Sequence, residues 1–183
     1  SHISSLNNDK DKSSREPMSL DDRYSIMLDG AIYNYREIRE SLIKKKYKFY
    51  TNTHTEVALN AFKEFEINSF NYFNGDWVIC ILDKLKKKII IAKDGLGTKP
   101  FYIYAQRDFI SFCSEIKGFR VFGSIQFDYS KLGLNQLTIY NFNSTKFENI
   151  KQIEPGSYLE VSLTNLESQE KKWFSPFENL FNI

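Results

Sequence analysis

The sequence has 183 residues, of which 42% are hydrophobic and 16% aromatic, and it carries a formal net charge of +2. This length and composition suffice for one well-packed domain and are short for two. The nearly neutral charge gives no reason to expect a nucleic-acid partner, and no apolar run approaches the roughly 18–20 residues of a membrane span. We therefore predict a single cytoplasmic domain with no nucleic-acid or membrane partner.

The first twenty residues are polar and rich in Ser, Asn, Asp and Lys, which predicts a loop over 1–20. Ser1 and His2 are compatible with the remnant of a purification tag, and the sequence leaves that question open.

The first regular structure is predicted from Tyr24 onward. Residues 24–28 are apolar and β-branched and therefore indicate a strand. Asp29 and Gly30 follow, a dipeptide typical of the two central positions of a tight hairpin turn. A second short strand is then expected over 31–33.

Two helices follow, and each begins with a capping signature. A capping residue followed three positions later by glutamate is typical of a helix start, and the two pairs are Asn34 with Glu37 and Thr53 with Glu56. The first helix has an apolar stripe formed by Tyr35, Ile38 and Leu42. The second helix is predicted to run to Glu66.

The remainder of the chain reads mainly as antiparallel hairpins. Apolar runs indicate strands at 77–82, 89–92, 101–104, 109–113, 153–163 and 172–174. Short helices are expected near Ser114 and over 130–137. Hairpins interleaved with a few helices favour an α+β domain over a repeated βαβ unit.

The two cysteines, Cys80 and Cys113, lie in apolar strand-like runs on different hairpins. Strand geometry gives no reason for their side chains to approach to disulfide distance, so both are predicted to be buried reduced thiols. No Cys or His spacing of a zinc site is present, and no metal ligand is assigned.

Several blocks of the sequence resemble the glutaminase domain of asparagine synthetases, a class II glutamine amidotransferase with the N-terminal-nucleophile hydrolase fold. That family reads roughly N-G-E-I-Y-N-Y-R, T-x-S-D-T-E-V, A-R-D-R-F-G-I-K-P-L-Y, F-A-S-E-I-K and P-P-G-H-Y-L-E. The matching residues here begin at Asp29, Thr51, Ala92, Phe112 and Glu154. Each block alone is weak, but their order over about residues 16–174 makes the resemblance specific.

The resemblance implies a four-layer αββα sandwich, in which two antiparallel sheets are flanked by helices. Only 28 residues precede Asp29, where the family has several dozen, so we expect a truncated N-terminal strand region. The expected organisation is a polar segment over 1–20 and a glutaminase-like domain over 21–175. Residues 176–183 would then form a linker toward a missing ATP-dependent synthetase domain.

The family's chemistry is altered at each position that the resemblance allows us to compare. In the family an N-terminal cysteine attacks glutamine, and an Asn-Gly pair donates hydrogen bonds to the oxyanion. Asp29 stands in place of that Asn, beside Gly30, and an ionised carboxylate cannot donate a hydrogen bond. Ala31 replaces a Glu, and His54 replaces the Asp that holds the substrate ammonium. We interpret His54 as a surface histidine near a helix start.

No catalytic residue is assigned in this chain. No cysteine lies near the N-terminus, and no family-like residues follow Ser1, which disfavours a serine nucleophile there. Arg15 and Arg23 are the only arginines before Asp29, and neither has the sequence context of the family's carboxylate-binding arginine. The former glutamine pocket is therefore predicted to consist of Asp29, Gly30, Ala31 and His54.

The leading hypothesis is a domain that has lost glutamine hydrolysis and acts as a scaffold for an ATP-dependent amide-forming domain. One alternative is an active glutaminase of an asparagine synthetase whose N-terminal cysteine segment is not in this chain. Another is a module that uses the old glutamine pocket for a different ligand. We expect no cofactor in this domain, ATP and magnesium in the synthetase domain, and weak or no glutamine binding; homodimerisation stays open.

Overall fold

The computed structural model describes residues 16–129 and 144–175. Within them, the strands are β1 Tyr24–Ile32, β2 Gly75–Asp83, β3 Lys88–Lys93, β4 Tyr102–Ala105, β5 Ile110–Cys113, β6 Ile150–Gln152, β7 Ser157–Ser162 and β8 Ser168–Lys172. The helices are α1 Tyr35–Lys44, α2 His54–Phe65 and the 3-10 helices Glu66–Tyr72 and Ile116–Phe122. Across the described ranges, no helix combines the length and the apolar character that crossing a bilayer requires.

The strands form two antiparallel sheets. The larger sheet has the order β1-β2-β3-β7-β8, and the smaller sheet has the order β5-β4-β6. The hairpins β2–β3 and β4–β5 lie where the apolar runs predicted them. The expected α+β fold with two antiparallel sheets is confirmed, and the helix predicted over 130–137 lies outside the described residues.

Alternating side chains of the larger sheet pack against two different partners. On one face, Ile26, Trp77 and Ile90 contribute to a core shared with α1, α2 and the 3-10 helix that follows α2. On the other face, a second cluster joins the two sheets and consists of Val78, Ile91, Ile103, Ile153, Leu159 and Val161. We call the first the helical face and the second the inter-sheet face. Period-two alternation explains this division, since successive strand residues point to opposite faces.

The prediction of a hairpin turn at Asp29 and Gly30 is wrong. The nine residues of β1 pair continuously with β2, and Asp29 and Gly30 lie opposite Val78 and Trp77 in the middle of the ladder. Gly30 does have a positive φ of 114°. The long pairing with β2 overrides the local turn preference of the dipeptide, because the ladder satisfies backbone groups along both strands.

The two capping predictions have different outcomes. Thr53 accepts a hydrogen bond from the backbone N–H of Glu56, which confirms the second helix start. The Asn34 side chain makes no cap bond. It donates instead to the Tyr72 carbonyl and accepts from the Asn74 N–H, so it joins the start of α1 to the chain that enters β2. A tertiary partner has taken the place of the local one.

The cysteine prediction is right about bonding and incomplete about burial. Cys80 and Cys113 are both free thiols, and both are only partly buried. Burial nevertheless raises the pKa of the Cys80 thiol to about 12. The last strand also differs from the prediction, because β8 ends at Lys172. Trp173 stacks on Trp77 with ring centroids 5.6 Å apart and so belongs to the helical-face core.

Candidate active site

A row of residues crosses the inter-sheet face at one end of the larger sheet. Asp29 on β1 lies opposite Val78 on β2, and Val78 lies opposite Lys93 on β3. Ala92 pairs with Tyr158, and the Gly156 N–H donates to the Asp94 carbonyl, so the register places Ser157 opposite Lys93. Directly opposed residues of antiparallel strands project to the same face. We call this set, Asp29, Val78, Lys93 and Ser157, the polar row.

Asp29 is engaged by a cation from the loop after β3. Lys99 Nζ lies 3.4 Å from Asp29 Oδ1, and the two side chains are 32% and 37% exposed. The carboxylate therefore faces an ammonium and offers no hydrogen-bond donor to a reacting carbonyl. A half-exposed ion pair of this kind contributes little to stability, about 0–1 kcal/mol.

The loop that carries Lys99 is shaped by Asp94, a buried carboxylate at the end of β3. Its Oδ1 accepts from the N–H groups of Leu96 and Gly97 at 2.9 and 2.7 Å. Its Oδ2 accepts from the Thr98 hydroxyl at 2.8 Å and from the Trp77 N–H at 3.3 Å. One carboxylate thus fixes the turn from Asp94 to Thr98 and attaches it to β2.

Gly30 and Ala31 sit where β1 and β2 approach each other closely. A Cβ at Gly30 would come within 2.0 Å of the Asp76 carbonyl oxygen, and a Cβ at Gly75 within 2.0 Å of the Ala31 carbonyl oxygen. Only glycine fits at the two positions, and both have positive φ. Ala31 is buried and presents only a methyl group. On the facing strand, the Asp76 carboxylate accepts a hydrogen bond from the Tyr33 hydroxyl at 2.7 Å.

His54, interpreted from the sequence as a surface histidine near a helix start, is the first residue of α2 and is partly buried. Its ring stacks on Tyr35 with centroids 4.1 Å apart. Its Nδ1 accepts a hydrogen bond from the Ile32 N–H at 3.2 Å, which places the proton of the neutral ring on Nε2. Burial lowers the pKa of His54 and so favours that neutral form. In the neutral form the imidazole therefore keeps an N–H donor at Nε2 and has no free acceptor nitrogen.

Lys93 and Ser157 are two buried polar residues on this face that sequence reasoning missed. Each is 1% exposed. Among the described residues, the Ser157 hydroxyl and Trp77 Nε1 are buried side-chain groups without a hydrogen-bond partner. Burial lowers the pKa of Lys93, and the charge of nearby Asp94 opposes that shift. The available signal was a lysine in phase with the inward-facing residues of the apolar strand KIIIAK.

The remaining predicted groups lie elsewhere. Arg23 is at the opposite end of β1 from Asp29, where its Nη2 pairs with Asp83 Oδ2 at 3.0 Å. Arg15 lies outside the described residues. Among the side chains that the structure describes, no group of three or more His, Cys, Asp or Glu converges in a metal-binding arrangement.

Comparison with known proteins agrees with this architecture. The sequence profile of the glutamine amidotransferase domain family matches residues 6–174. Asparagine synthetase [glutamine-hydrolyzing] 1 of Bacillus subtilis is 32% identical over 150 residues, which cover 80% of this chain and 24% of that protein. A putative asparagine synthetase of Methanocaldococcus jannaschii is 41% identical over 93 residues, 51% of this chain and 18% of that protein. The chain thus spans about a quarter or less of the length of these two relatives.

Solved structures show the same fold. The glutamine phosphoribosylpyrophosphate amidotransferase of B. subtilis superposes with a TM-score of 0.66 at 18% identity, over 88% of this chain and 32% of that chain. A regulatory enzyme of purine biosynthesis gives a TM-score of 0.65 at the same identity, over 87% of this chain and 31% of that chain. At this identity the likeness concerns the arrangement of sheets and helices. Because the family profile covers nearly the whole sequence, the chain belongs to the glutamine amidotransferase domain family.

Proposed function

We propose that this chain is a glutamine amidotransferase domain that has lost glutamine hydrolysis and serves as a structural scaffold for an ATP-dependent amide-forming domain. The observation that carries the proposal is the Asp29 carboxylate, which is held by Lys99. The resemblance equates Asp29 with the family's oxyanion donor. Loss of one oxyanion donor typically costs about 2.7–4 kcal/mol of transition-state stabilisation. A carboxylate there adds repulsion of the developing negative charge.

The binding side of the old pocket supports the same proposal. His54 uses Nδ1 for the Ile32 N–H and its ring face for Tyr35, so it cannot replace the carboxylate that grips an ammonium group. Ala31 contributes no polar atom. A pocket altered at both the reacting end and the ammonium end loses affinity and rate together, because the groups act as a unit.

The scaffold role rests on the intact framework. The glycine pair Gly30 and Gly75, the loop held by Asp94 and the aromatic core are all well packed around the altered positions. We propose a cytoplasmic location and a synthetase domain as partner, with ATP and magnesium bound by that domain. The asparagine synthetase relatives, of which this chain matches about a quarter, motivate this part of the proposal.

The direct test is a coupled ammonia assay with glutamine on this chain and on the full product of its gene. We expect no release above background, and no saturable glutamine binding by calorimetry at millimolar concentrations. A dissociation constant below about 1 mM, equivalent to roughly −4 kcal/mol, would contradict the proposal. In the full product, amide formation should proceed with ammonium and not with glutamine.

Asp29→Asn is the matched variant for this assay. It restores the donor at the oxyanion position and leaves His54 and Ala31 unchanged, so it should remain inactive. Ammonia release in the wild type or in Asp29→Asn would overturn the proposal. A loss of that activity in Ser1→Ala would then identify Ser1 as the nucleophile.

A further inference from the structure

A small cavity lies between the loop that follows α1 and the second half of α2. Its volume is about 260 Å³, and its lining includes Lys45, Lys46, Lys48 and Lys63. Among the described lining residues, four are lysines and none is Asp or Glu. We call this cavity the basic cavity. Sites for small ligands begin at a volume of about 300 Å³, so a cavity of this size suits a small molecule.

The basic cavity carries more positive charge than the neighbouring carboxylates neutralise. Lys45 pairs with Glu64 at 2.7 Å, and Lys63 pairs with Asp21 at 2.7 Å. Across the part of the chain that the structure describes, no ion pair includes Lys46 or Lys48. Two ammonium groups at the cavity are therefore left to attract a ligand with two negative charges.

Lys46 occupies a backbone position that favours glycine. It follows the cap residue Lys45 with a φ of 69°, and its N–H donates to the Ile43 carbonyl at 2.9 Å. The Tyr47 N–H then donates to the Leu42 carbonyl at 3.0 Å and completes the helix end. Glycine is the usual residue at this position because it adopts a positive φ without strain. The lysine thus places an ammonium group at the cavity although the backbone conformation favours glycine.

An exposed aromatic ring borders the same cavity. Tyr50 lines it and is 72% exposed, while its backbone N–H donates to Glu56 Oε1 at 2.7 Å. The N–H and the hydroxyl of Thr51 both donate to Oε2 of the same buried carboxylate, so the backbone that carries the ring is fixed. The Tyr50 ring can therefore stack on a flat group of a ligand whose charge is held by the lysines.

We propose that the basic cavity binds a small phosphate monoester that carries a flat ring. A phosphate monoester bears close to two negative charges near neutral pH, and lysine binds phosphate as a compact point charge. A carboxylate would leave one of the two ammonium groups unmatched. The proposal does not depend on the loss of glutaminase activity, because the described lining includes none of Asp29, Gly30, Ala31 and His54.

The test is an NMR titration of this chain with phenyl phosphate at about pH 7.5, where the ligand is a dianion. Sodium chloride keeps the ionic strength constant. Phenyl phosphate should cause saturable shifts of the backbone amides of residues 46–50 and 60–63. Inorganic phosphate should bind about two- to tenfold more weakly, because it offers no ring to Tyr50. Sodium acetate should bind more weakly than either phosphate.

Two variants separate the contribution of the charge from that of the ring. Lys48→Met should weaken the binding of phenyl phosphate about two- to fivefold, which is the strength of an exposed ion pair. Tyr50→Leu should reduce the affinity for phenyl phosphate to that for inorganic phosphate. Lys44→Met is the matched control and should bind like the wild type, since Lys44 is exposed at the end of α1 and is not among the described lining residues.

Lys46→Gly adds a measurement that needs no ligand. It should weaken binding about two- to fivefold, and it should raise the melting temperature because glycine relieves the strain of the positive φ. A lower melting temperature would show that the lysine serves the helix end, and would overturn the proposal. Equal losses of affinity in Lys44→Met and Lys48→Met, or shifts with acetate or chloride equal to those with phenyl phosphate, would overturn it as well.

Discussion

The two faces of the larger sheet differ in what their side chains are fitted to. On the helical face, Phe70 lies within aromatic contact of Phe62, Phe73, Trp77, Tyr158 and Trp173. On the inter-sheet face, apolar packing stops at the polar row, where the Ser157 hydroxyl is buried without a hydrogen-bond partner among the described residues. The helical face is filled by aromatic rings, and the one polar atom buried there without a partner among the described residues is Trp77 Nε1. The polar row instead places charged and hydroxyl side chains on the same sheet. This contrast separates an aromatic core from a face with polar and charged side chains.

The largest loss of stability is expected when the aromatic ring at the centre of the helical face is removed. We expect Phe70→Ala to destabilise the folded chain by about 3–5 kcal/mol, because a large buried ring leaves a cavity among other rings. Denaturant unfolding measures the free energy. Tyr50→Ala is the control, since Tyr50 is 72% exposed, and should change stability by less than about 0.5 kcal/mol. A similar loss for both variants would refute the assignment of Phe70 as the core centre.

The second prediction concerns the framework on which the site is built. Gly30→Ala should lower the free energy of unfolding by about 2–4 kcal/mol. Its methyl group would clash with the Asp76 carbonyl, and a non-glycine residue is strained at this positive φ. Gly123 has a φ of 113° and nothing within 4 Å of its Cβ position, so Gly123→Ala isolates the strain. It should cost about 1–2 kcal/mol. Equal losses of stability in Gly30→Ala and Gly123→Ala would mean that β1 and β2 move apart to accommodate the methyl group without a cost in free energy.

The third prediction uses pH to examine His54 at the start of α2. Burial places the pKa of His54 below its ordinary 6.5 in the folded chain, so the unfolded chain binds more protons in the window between the two values. The contribution of His54 to the free energy of unfolding is therefore fully present above pH 6.5. It is lost as the pH falls from 6.5 through the lower pKa of the folded chain. Chemical denaturation between pH 7.5 and 5.5 should show a steeper loss for the wild type than for His54→Gln. If stability falls equally steeply with pH in the wild type and in His54→Gln, His54 is exposed to solvent in the folded chain.

The smallest expected effect is at Asp29. Asp29→Asn removes the half-exposed ion pair with Lys99, and its stability should change by no more than about 1 kcal/mol. Thermal melts at low and high salt measure it, and the difference should vanish at high salt, because screening weakens exposed pairs. A large loss of stability in Asp29→Asn that persists at high salt would show that Asp29 is needed for the fold itself.

Sequence reasoning found the framework because local patterns and packing agree there. The apolar runs of β2 and β3 and the cap at Thr53 follow from rules that act over a few residues. It failed at Asp29 and Gly30, where pairing with β2 continues through a turn signal. It failed at His54 because a histidine one residue past a cap shows nothing in sequence of the Ile32 N–H or of the Tyr35 ring.

The sequence by itself determined the domain family and the antiparallel α+β fold, and the altered glutamine pocket at Asp29, Ala31 and His54 stays a prediction. Only the tertiary structure decided which groups meet. Asp29 and Lys99 are 70 residues apart in the chain, and they pair because β1 and the loop after β3 converge at one end of the sheet. Lys93 and Ser157 come to lie opposite each other only through strand register, which is set by long-range pairing that no local pattern encodes.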